Sequence, residues 1–482
     1  MTQIDTGAAA ASAEPRPQTV AVAGVVFDDP FVWLEDDVDE VLAWQHEQDA
    51  GTQAHLRSWP HFDAVPGLLR RFEAPRIELP VLRGERSFVL TRAGDAQRPH
   101  LEVRTPDADP RVLVATEQQT IDWWYASPSG RHVAYGLSVA GNEQSTLHVV
   151  DADTGAVRPD RIPYASAALV AWLPDESGFY VNAGRDVDTV DSRKYLWFHE
   201  IGGATREEPL PVPHLPVHGV PTVSGDGRWL GLLTYPGVQT HRLSWIRDRA
   251  AHGPWRRFVA EGDEQLAGEF DGDRYVAVTR EAAPRGRVVS IPVTTSDDPT
   301  TWDEIVPQSD DVVQKITRVG DRMVVELLRD ACSALTILDP DGTQRQVDLP
   351  GLGTVTSVVS TGERSFTFVF ASATTSPGRF ACDVETGRVT VVEPPAHDLT
   401  DISVTLVRAT SADGTQVPAH VIQRTDLEPS PRPTVIYAYG GFNHRFTLGW
   451  DPRWAAFVAA GGVYVHANLR GGGELGSDWW HG

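Results

Sequence analysis

Pro433-Thr434-Val435-Ile436-Tyr437-Ala438-Tyr439-Gly440-Gly441-Phe442 and Gly462-Val463-Tyr464-Val465-His466-Ala467-Asn468-Leu469-Arg470-Gly471-Gly472-Gly473 decide how this chain is read. Each is a short apolar, β-branched and aromatic run that stops at glycines, the pattern of a buried parallel strand delivering a tight loop to the rim of a sheet. Rims of that kind are where α/β proteins place ligands and chemistry. Between them, Asp451-Pro-Arg-Trp-Ala-Ala-Phe-Val-Ala-Ala460 has an N-capping Asp, Pro at the first helical position and an apolar stripe. The unit is therefore expected to be strand, helix, strand.

Upstream, Ile402–Ala409 and Gln416–Gln423 read as a hairpin turned at Ser411-Ala-Asp-Gly414, and a polar Pro-rich link, 426–433, follows. The order β, β, β, α, β opens many hydrolase sheets. Further back, from about Phe72 to Pro395, short alternating segments recur between turns such as Ser127-Pro-Ser-Gly130, Pro174-Asp-Glu-Ser-Gly178 and Ser224-Gly-Asp-Gly227, nearly all followed by an apolar strand. A second strand in several units enters an Asp/Gly hairpin, as in Leu147-His-Val-Val-Asp-Ala-Asp-Thr-Gly155 and Phe380-Ala-Cys-Asp-Val-Glu-Thr-Gly387. About seven such units of roughly 46 residues suit four-stranded propeller blades. The repeats carry no WD or kelch signature, and a pair of β-sandwiches or an irregular solenoid is the alternative.

The length of 482 residues allows two or three domains. Residues 1–24, rich in Ala, Pro and Thr, are expected to be a disordered leader. Residues 25–71 hold a loosely amphipathic helix from about Val38 to Arg57 that needs a larger body to lie against. The expected domains are thus that helical segment, a propeller over 72–395, and a hydrolase portion over 396–482.

With 42 Lys plus Arg against 66 Asp plus Glu, the net charge of -24 argues against a nucleic-acid partner. No apolar run approaches the roughly 18 residues of a membrane span, and the N-terminus lacks the basic start and apolar core of a signal peptide. A cytoplasmic protein is expected. Cys332 and Cys382 lie in strand-like runs without metal-ligand spacing and read as small buried hydrophobes. Gly471-Gly-Gly-Glu-Leu-Gly476 fits GxGxxG, yet neither a long helix nor an acidic residue at the right distance follows it. His46, Glu47 and His55 lack HExxH spacing. No cofactor and no metal is expected.

Asp29-Pro-Phe-Val-Trp-Leu-Glu-Asp36, Tyr437-Ala-Tyr-Gly-Gly-Phe-Asn443 and Ala467-Asn-Leu-Arg-Gly-Gly-Gly-Glu-Leu-Gly476 resemble, in that order, the N-terminal signature and the first two hydrolase-domain motifs of the prolyl oligopeptidase family of serine peptidases. The resemblance runs from about Asp28 to the last residue. It implies a seven-bladed propeller beside an α/β-hydrolase domain, with the N-terminal helical segment packing on the latter. It implies cleavage of short peptides, after proline or in a related way, by a Ser, Asp, His triad, in a protein that is monomeric when complete. Tyr439 matches the family's tyrosine that helps bind the oxyanion, and Phe442 a residue lining the pocket for the substrate proline ring. A packed loop aromatic is the alternative for Tyr439, and a core phenylalanine for Phe442. At Asn443-His-Arg-Phe-Thr447 the sequence departs from the motif, and His444 and Arg445 bring bulk and charge that bear on substrate preference. No GxSxG-like elbow occurs in these residues, so the hydrolase domain is expected to be incomplete here, with the triad beyond Gly482 and an aggregation-prone sheet edge along Val435-Ile436-Tyr437. A non-catalytic propeller protein that binds peptides or proteins is the second functional reading.

Overall fold

The computed structural model describes residues 13–482 apart from 37, 76, 93–97, 107, 140, 187–192, 216–218, 236–239, 261, 263 and 429. Two compact units divide between Glu73 and Ala74. In the first, Gln18–Val22 pairs antiparallel with Val25–Asp29. That corrects the expectation of a structureless leader through residue 24. Ala23 and Gly24, at φ +50° and +83°, supply the two-residue left-handed turn that a tight hairpin requires. Residues 1–12 of that leader lie outside the described residues. Helix α1, Asp39–Arg57, starts with acidic residues at its positive end and buries only Val41. A shorter helix, α2, spans Val65–Arg70.

The second unit opens with four-stranded antiparallel sheets over 81–114, 119–162 and 170–207, continues with an eight-stranded sheet over 220–306, and adds four-stranded sheets over 312–346 and 354–393. The eight-stranded sheet consists of two antiparallel groups joined by one parallel pair, Arg242 opposite Leu266. Strand alternation stacks each sheet on the next. In the strand His132–Val139, Val133 and Tyr135 face Phe88, Leu101 and Val103 of the preceding sheet. Ala134, between them, faces Phe179 and Val181 of the following one. The same switch recurs in Arg274–Thr279, where Tyr275 and Ala277 point one way and Val276 and Val278 the other. A strand buried on both faces needs apolar residues without a break, which is why these runs lack the polar alternation of a half-solvated sheet. Phe366, Phe368, Phe370 and Phe380 fill the interface between the sheets over 312–346 and 354–393.

The repeated Asp/Gly turns have the same local chemistry. Asp151 Oδ1 accepts from Asp153 N, Thr154 N and Thr154 Oγ1, and Asp383 Oδ1 accepts from Glu385 N, Thr386 N and Thr386 Oγ1. Gly155 and Gly387 close them at φ +74° and +71°.

The last sheet is mixed, in the order 402–410, 416–424, 463–467, 434–438. The hairpin runs antiparallel to Val463–Ala467, while Thr434–Ala438 runs parallel to it. Helix α3, Pro452–Ala459, makes the crossover and is capped by Asp451, whose carboxylate accepts from Arg453 N at 2.8 Å. Thr434–Ala438 is an edge strand, and Ile436 at its centre is 69% exposed. The sheet is anchored to the preceding ones. Cys332 packs with Ile402, Ile422 and Tyr464, Arg408 pairs with Asp330 at 2.6 Å, and Thr354 Oγ1 donates to Leu448 O at 2.9 Å. A five-residue helix, α4, Ser477–His481, is tied to the 220–306 region by Ser477 Oγ donating to Glu264 at 2.9 Å. Both cysteines are buried free thiols, and burial pushes each up to about 11. Among the described residues no helix is long and apolar enough to cross a membrane.

Candidate functional site

Two glycine-bordered loops meet at the C-terminal end of the parallel pair. The first leaves Ala438 with Tyr439 and runs to Thr447; the second leaves Ala467 and runs to Gly476. Their backbones are in contact. Asn443 N donates to Gly471 O at 3.0 Å, and Gly473 N to His444 O at 3.1 Å. A Cβ on Gly471 would lie 2.5 Å from Gly440 O, and one on Gly473 2.4 Å from Asn443 Oδ1. Gly471 and Gly473 of the GxGxxG-like run therefore serve the close approach of the two loop backbones.

Tyr439 is 45% exposed and Phe442 63% exposed, with ring centroids 6.4 Å apart. Phe442 is thus a surface residue and not a core phenylalanine. His444 meets the Tyr439 ring edge-on at 5.6 Å, and Phe446 lies 5.1 Å from it on the inner side. Among the described residues the Tyr439 hydroxyl makes no hydrogen bond, which leaves its donor for a ligand. Phe442 and Asn443 both sit in the left-handed region, at φ +56° and +52°. For a bulky residue such as Phe442 this backbone costs about 1–3 kcal/mol and persists only where surrounding contacts enforce it.

The turn itself is held by Asn443 N on Gly471 O, and further along the loop Phe446 is held by three buried polar residues that sequence reasoning did not single out. Glu474 Oε1 accepts from Phe446 N at 2.8 Å and from Asn468 Nδ2 at 3.2 Å. Asn468 Nδ2 also donates to Phe446 O at 2.6 Å, and His466 Nε2 donates to the same carbonyl at 3.1 Å. Phe446 is thereby held by both its N–H and its C=O. Burial raises the Glu474 carboxyl above the ordinary carboxylate range and lowers His466, so both favour their neutral forms. The available signal was His466 and Asn468, two polar residues two apart at the end of an otherwise apolar buried strand. Among the described residues no group of three or more His, Cys, Asp or Glu is placed to hold a metal ion.

Residues 12–395 match the family described as "Prolyl oligopeptidase, N-terminal beta-propeller domain". A prolyl endopeptidase of Elizabethkingia miricola is 24% identical over 477 residues, which cover 94% of this chain and 67% of that protein. Prolyl oligopeptidase A of Galerina marginata is also 24% identical, over 94% of this chain and 69% of its own length. Among solved structures, one from a study of two prolyl endopeptidases superposes with a TM-score of 0.85 at 26% identity, covering 98% of this chain and 72% of that one. Prolyl oligopeptidase B from Galerina marginata, bound to a 35mer hydrolysis and macrocyclization substrate, superposes with a TM-score of 0.84 at 19% identity, over 98% and 73% of the two chains.

Proposed function

The chain belongs to the prolyl oligopeptidase family, and from that premise we propose that it supplies the propeller and the oxyanion-binding side of a cytoplasmic serine oligopeptidase that cleaves short peptides after proline. The two antiparallel groups of the eight-stranded sheet support counting two blades there and seven in all. The order 402–410, 416–424, 463–467, 434–438, with one antiparallel hairpin and one helical crossover, supports reading the last sheet as the first half of an α/β-hydrolase domain.

Tyr439 is the oxyanion donor in this reading. A fixed hydroxyl at a strand end stabilises charge that develops only as the tetrahedral intermediate forms, so it lowers the barrier rather than tightening substrate binding. Hydrolases of this fold take one such donor from the loop after the third strand, the position of Tyr439. Phe442, exposed beside it, offers a ring face to the substrate proline. The Ser, Asp and His of the triad are assigned to sequence following Gly482, and the edge Thr434–Ala438 is the place where the strand carrying the nucleophile pairs.

The observation that carries this reading is an unpaired hydroxyl at the end of an uncovered parallel edge. The test joins these residues to the coding sequence downstream, in register or shifted, and measures hydrolysis of proline-containing peptides together with labelling by a fluorophosphonate. Cleavage after proline with labelling of a serine on a strand-to-helix turn is the expected result. A protein that binds peptides yet neither labels nor cleaves sinks the proposal in favour of a non-catalytic propeller.

A further inference from the structure

The chain carries a net charge of -24, yet one internal wall runs the other way. A cavity of about 900 Å³ is lined by parts of the strands Val81–Arg83, Leu266–Asp271, Val312–Val319 and Thr354–Ser360, with Arg445 and Thr447 of the Tyr439 loop also in its wall. Its charged lining is Arg83, Lys315, Arg318 and Arg445 against Glu269 and Glu326. Burial raises the pKa of both carboxyls, and the cations beside them act in the opposite direction.

The four cations are not equally engaged. Arg318 is paired with Asp271 at 2.8 Å. Arg445 donates to the neutral amide of Gln314 and forms no ion pair within 4 Å among the described residues; desolvation lowers its pKa, and the charges of Glu326 and Glu474 act against that. Arg280 is close enough to Arg445 for the charges of the two guanidiniums to oppose each other. Lys315 forms no ion pair within 4 Å among the described residues, although Glu269 and Glu326 feel its charge. Arg445 and Lys315 are both solvent-exposed and contact no carboxylate within 4 Å among the described residues, so their charges are available to an anion that enters the cavity.

We propose that Arg445 and Lys315 form a carboxylate-binding position in this cavity, which selects peptides carrying a negative charge near the cleaved bond. The carboxylate is the C-terminal group of a short peptide or an acidic side chain. The proposal rests on the oligopeptidase reading above for the identity of the ligand. Arg445 stands six residues after Tyr439, and a chain of that length spans at most about 20 Å. Phe446, the next residue, has its ring 5.1 Å from that of Tyr439, so a carboxylate on Arg445 lies within about seven extended residues of a carbonyl at Tyr439. Arg445 presents a planar fork that meets a carboxylate with two parallel bonds, and Lys315 adds a point charge.

The test uses the 482-residue protein and one fluorescent proline-containing pentapeptide in three forms: free acid, C-terminal amide, and amide with a glutamate in place of a glutamine. At low salt, one or both carboxylate forms are expected to bind about tenfold more tightly than the neutral amide, the size of a charge-assisted hydrogen bond. Binding by the free acid alone assigns the site to a C-terminus; binding by both assigns it to any nearby carboxylate. The contrast is expected to fall below about twofold in Arg445→Gln and to be partly kept in Arg445→Lys.

A second readout needs no variant. The chain has two lysines, and Lys194 is fully buried with its ammonium on Ser166 O at 2.9 Å. Acetylation mapped by mass spectrometry thus reports Lys315, which the carboxylate peptides are expected to protect and the amide not. Equal binding of the three peptides, no binding of any, or Lys315 reactivity indifferent to them overturns the proposal. The oligopeptidase reading is judged separately, by cleavage and fluorophosphonate labelling.

Discussion

At the scale of single residues, the candidate site separates the exposed Tyr439 from buried groups that hold the loop around it. Tyr439 is open to a ligand and its hydroxyl makes no hydrogen bond among the described residues, so on the proposed oligopeptidase reading Tyr439→Phe, in the chain joined to its downstream coding sequence, is expected to lower kcat about 100-fold with little change in KM. Steady-state kinetics decide this, and an equal rise in KM with kcat intact would make Tyr439 a binding residue instead. Glu474 belongs to the second kind. Its folded pKa is raised by burial, so the stability it contributes is complete below its unfolded pKa and is lost as pH rises through the folded value. Glu474→Gln, which imitates the neutral carboxyl, is therefore expected to raise Tm at pH 7, with the gain shrinking as pH falls toward about 4.5. A Tm difference independent of pH would mean that Glu474 is ionised in the folded protein. Tyr439 and Phe442 were visible in the sequence as members of a motif. Glu474 was visible only as a letter among glycines, because its role depends on Phe446 lying against it, and that contact joins two separate loops.

At the scale of elements, the strand pair Gln416–Arg424 and Val463–Ala467 sets two histidines directly opposite, His420 and His466. Burial brings His420 down to about 4, with the charge of His466 and that of Arg408 acting in the same direction and Asp330 opposing them. A base depressed from 6.5 to about 4 contributes stability that is present above its unfolded pKa and is lost as pH falls through that window, up to about 3 kcal/mol. Thermal unfolding followed by circular dichroism is expected to show this loss between pH 6.5 and 4. His420→Leu is expected to flatten it; an unchanged slope would assign the acid lability elsewhere. The edge strand Thr434–Ala438 makes a different prediction. With Ile436 69% exposed on an unpaired parallel edge, the 482-residue protein is expected to self-associate, and Ile436→Lys to reduce that association in sedimentation velocity. Strand and helix limits here were legible within a residue or two, since Asp451-Pro452 and the paired glycines punctuate the chain. The hairpin at residues 18–29 was not, because its turn, Ala23-Gly24, stands in a stretch whose composition resembles a disordered leader.

At the scale of the whole molecule, the acidic excess is a field that all parts share. Raising ionic strength from about 0.01 to 0.15 M shortens the screening length from about 30 to 8 Å and relieves self-repulsion, so Tm is expected to rise with salt at pH 7. A Tm that falls with salt would show that the ion pairs outweigh the net charge. The cationic cavity works against this field, which is why an acidic peptide preference would be diagnostic of a local site. Neither the sign of that wall nor its members could be read from order along the chain. Arg83, Lys315 and Arg445 are more than one hundred residues apart from each other and are gathered only by the stacking of sheets.

What the amino-acid sequence determined by itself was local: where apolar runs stop, which turns repeat, which residue caps a helix, and a family likeness carried by three short motifs. These follow from backbone stereochemistry and from the two-residue period of strands, which act over a few positions. What only the tertiary structure decided was long-range. It comprises the order of strands in the last sheet, the exposure of Phe442, the clamp of Glu474, Asn468 and His466 on Phe446, and the charge lining the cavity. Each depends on side chains far apart in sequence losing water together, and burial and electrostatic environment are properties of that shared interior rather than of any one stretch of chain.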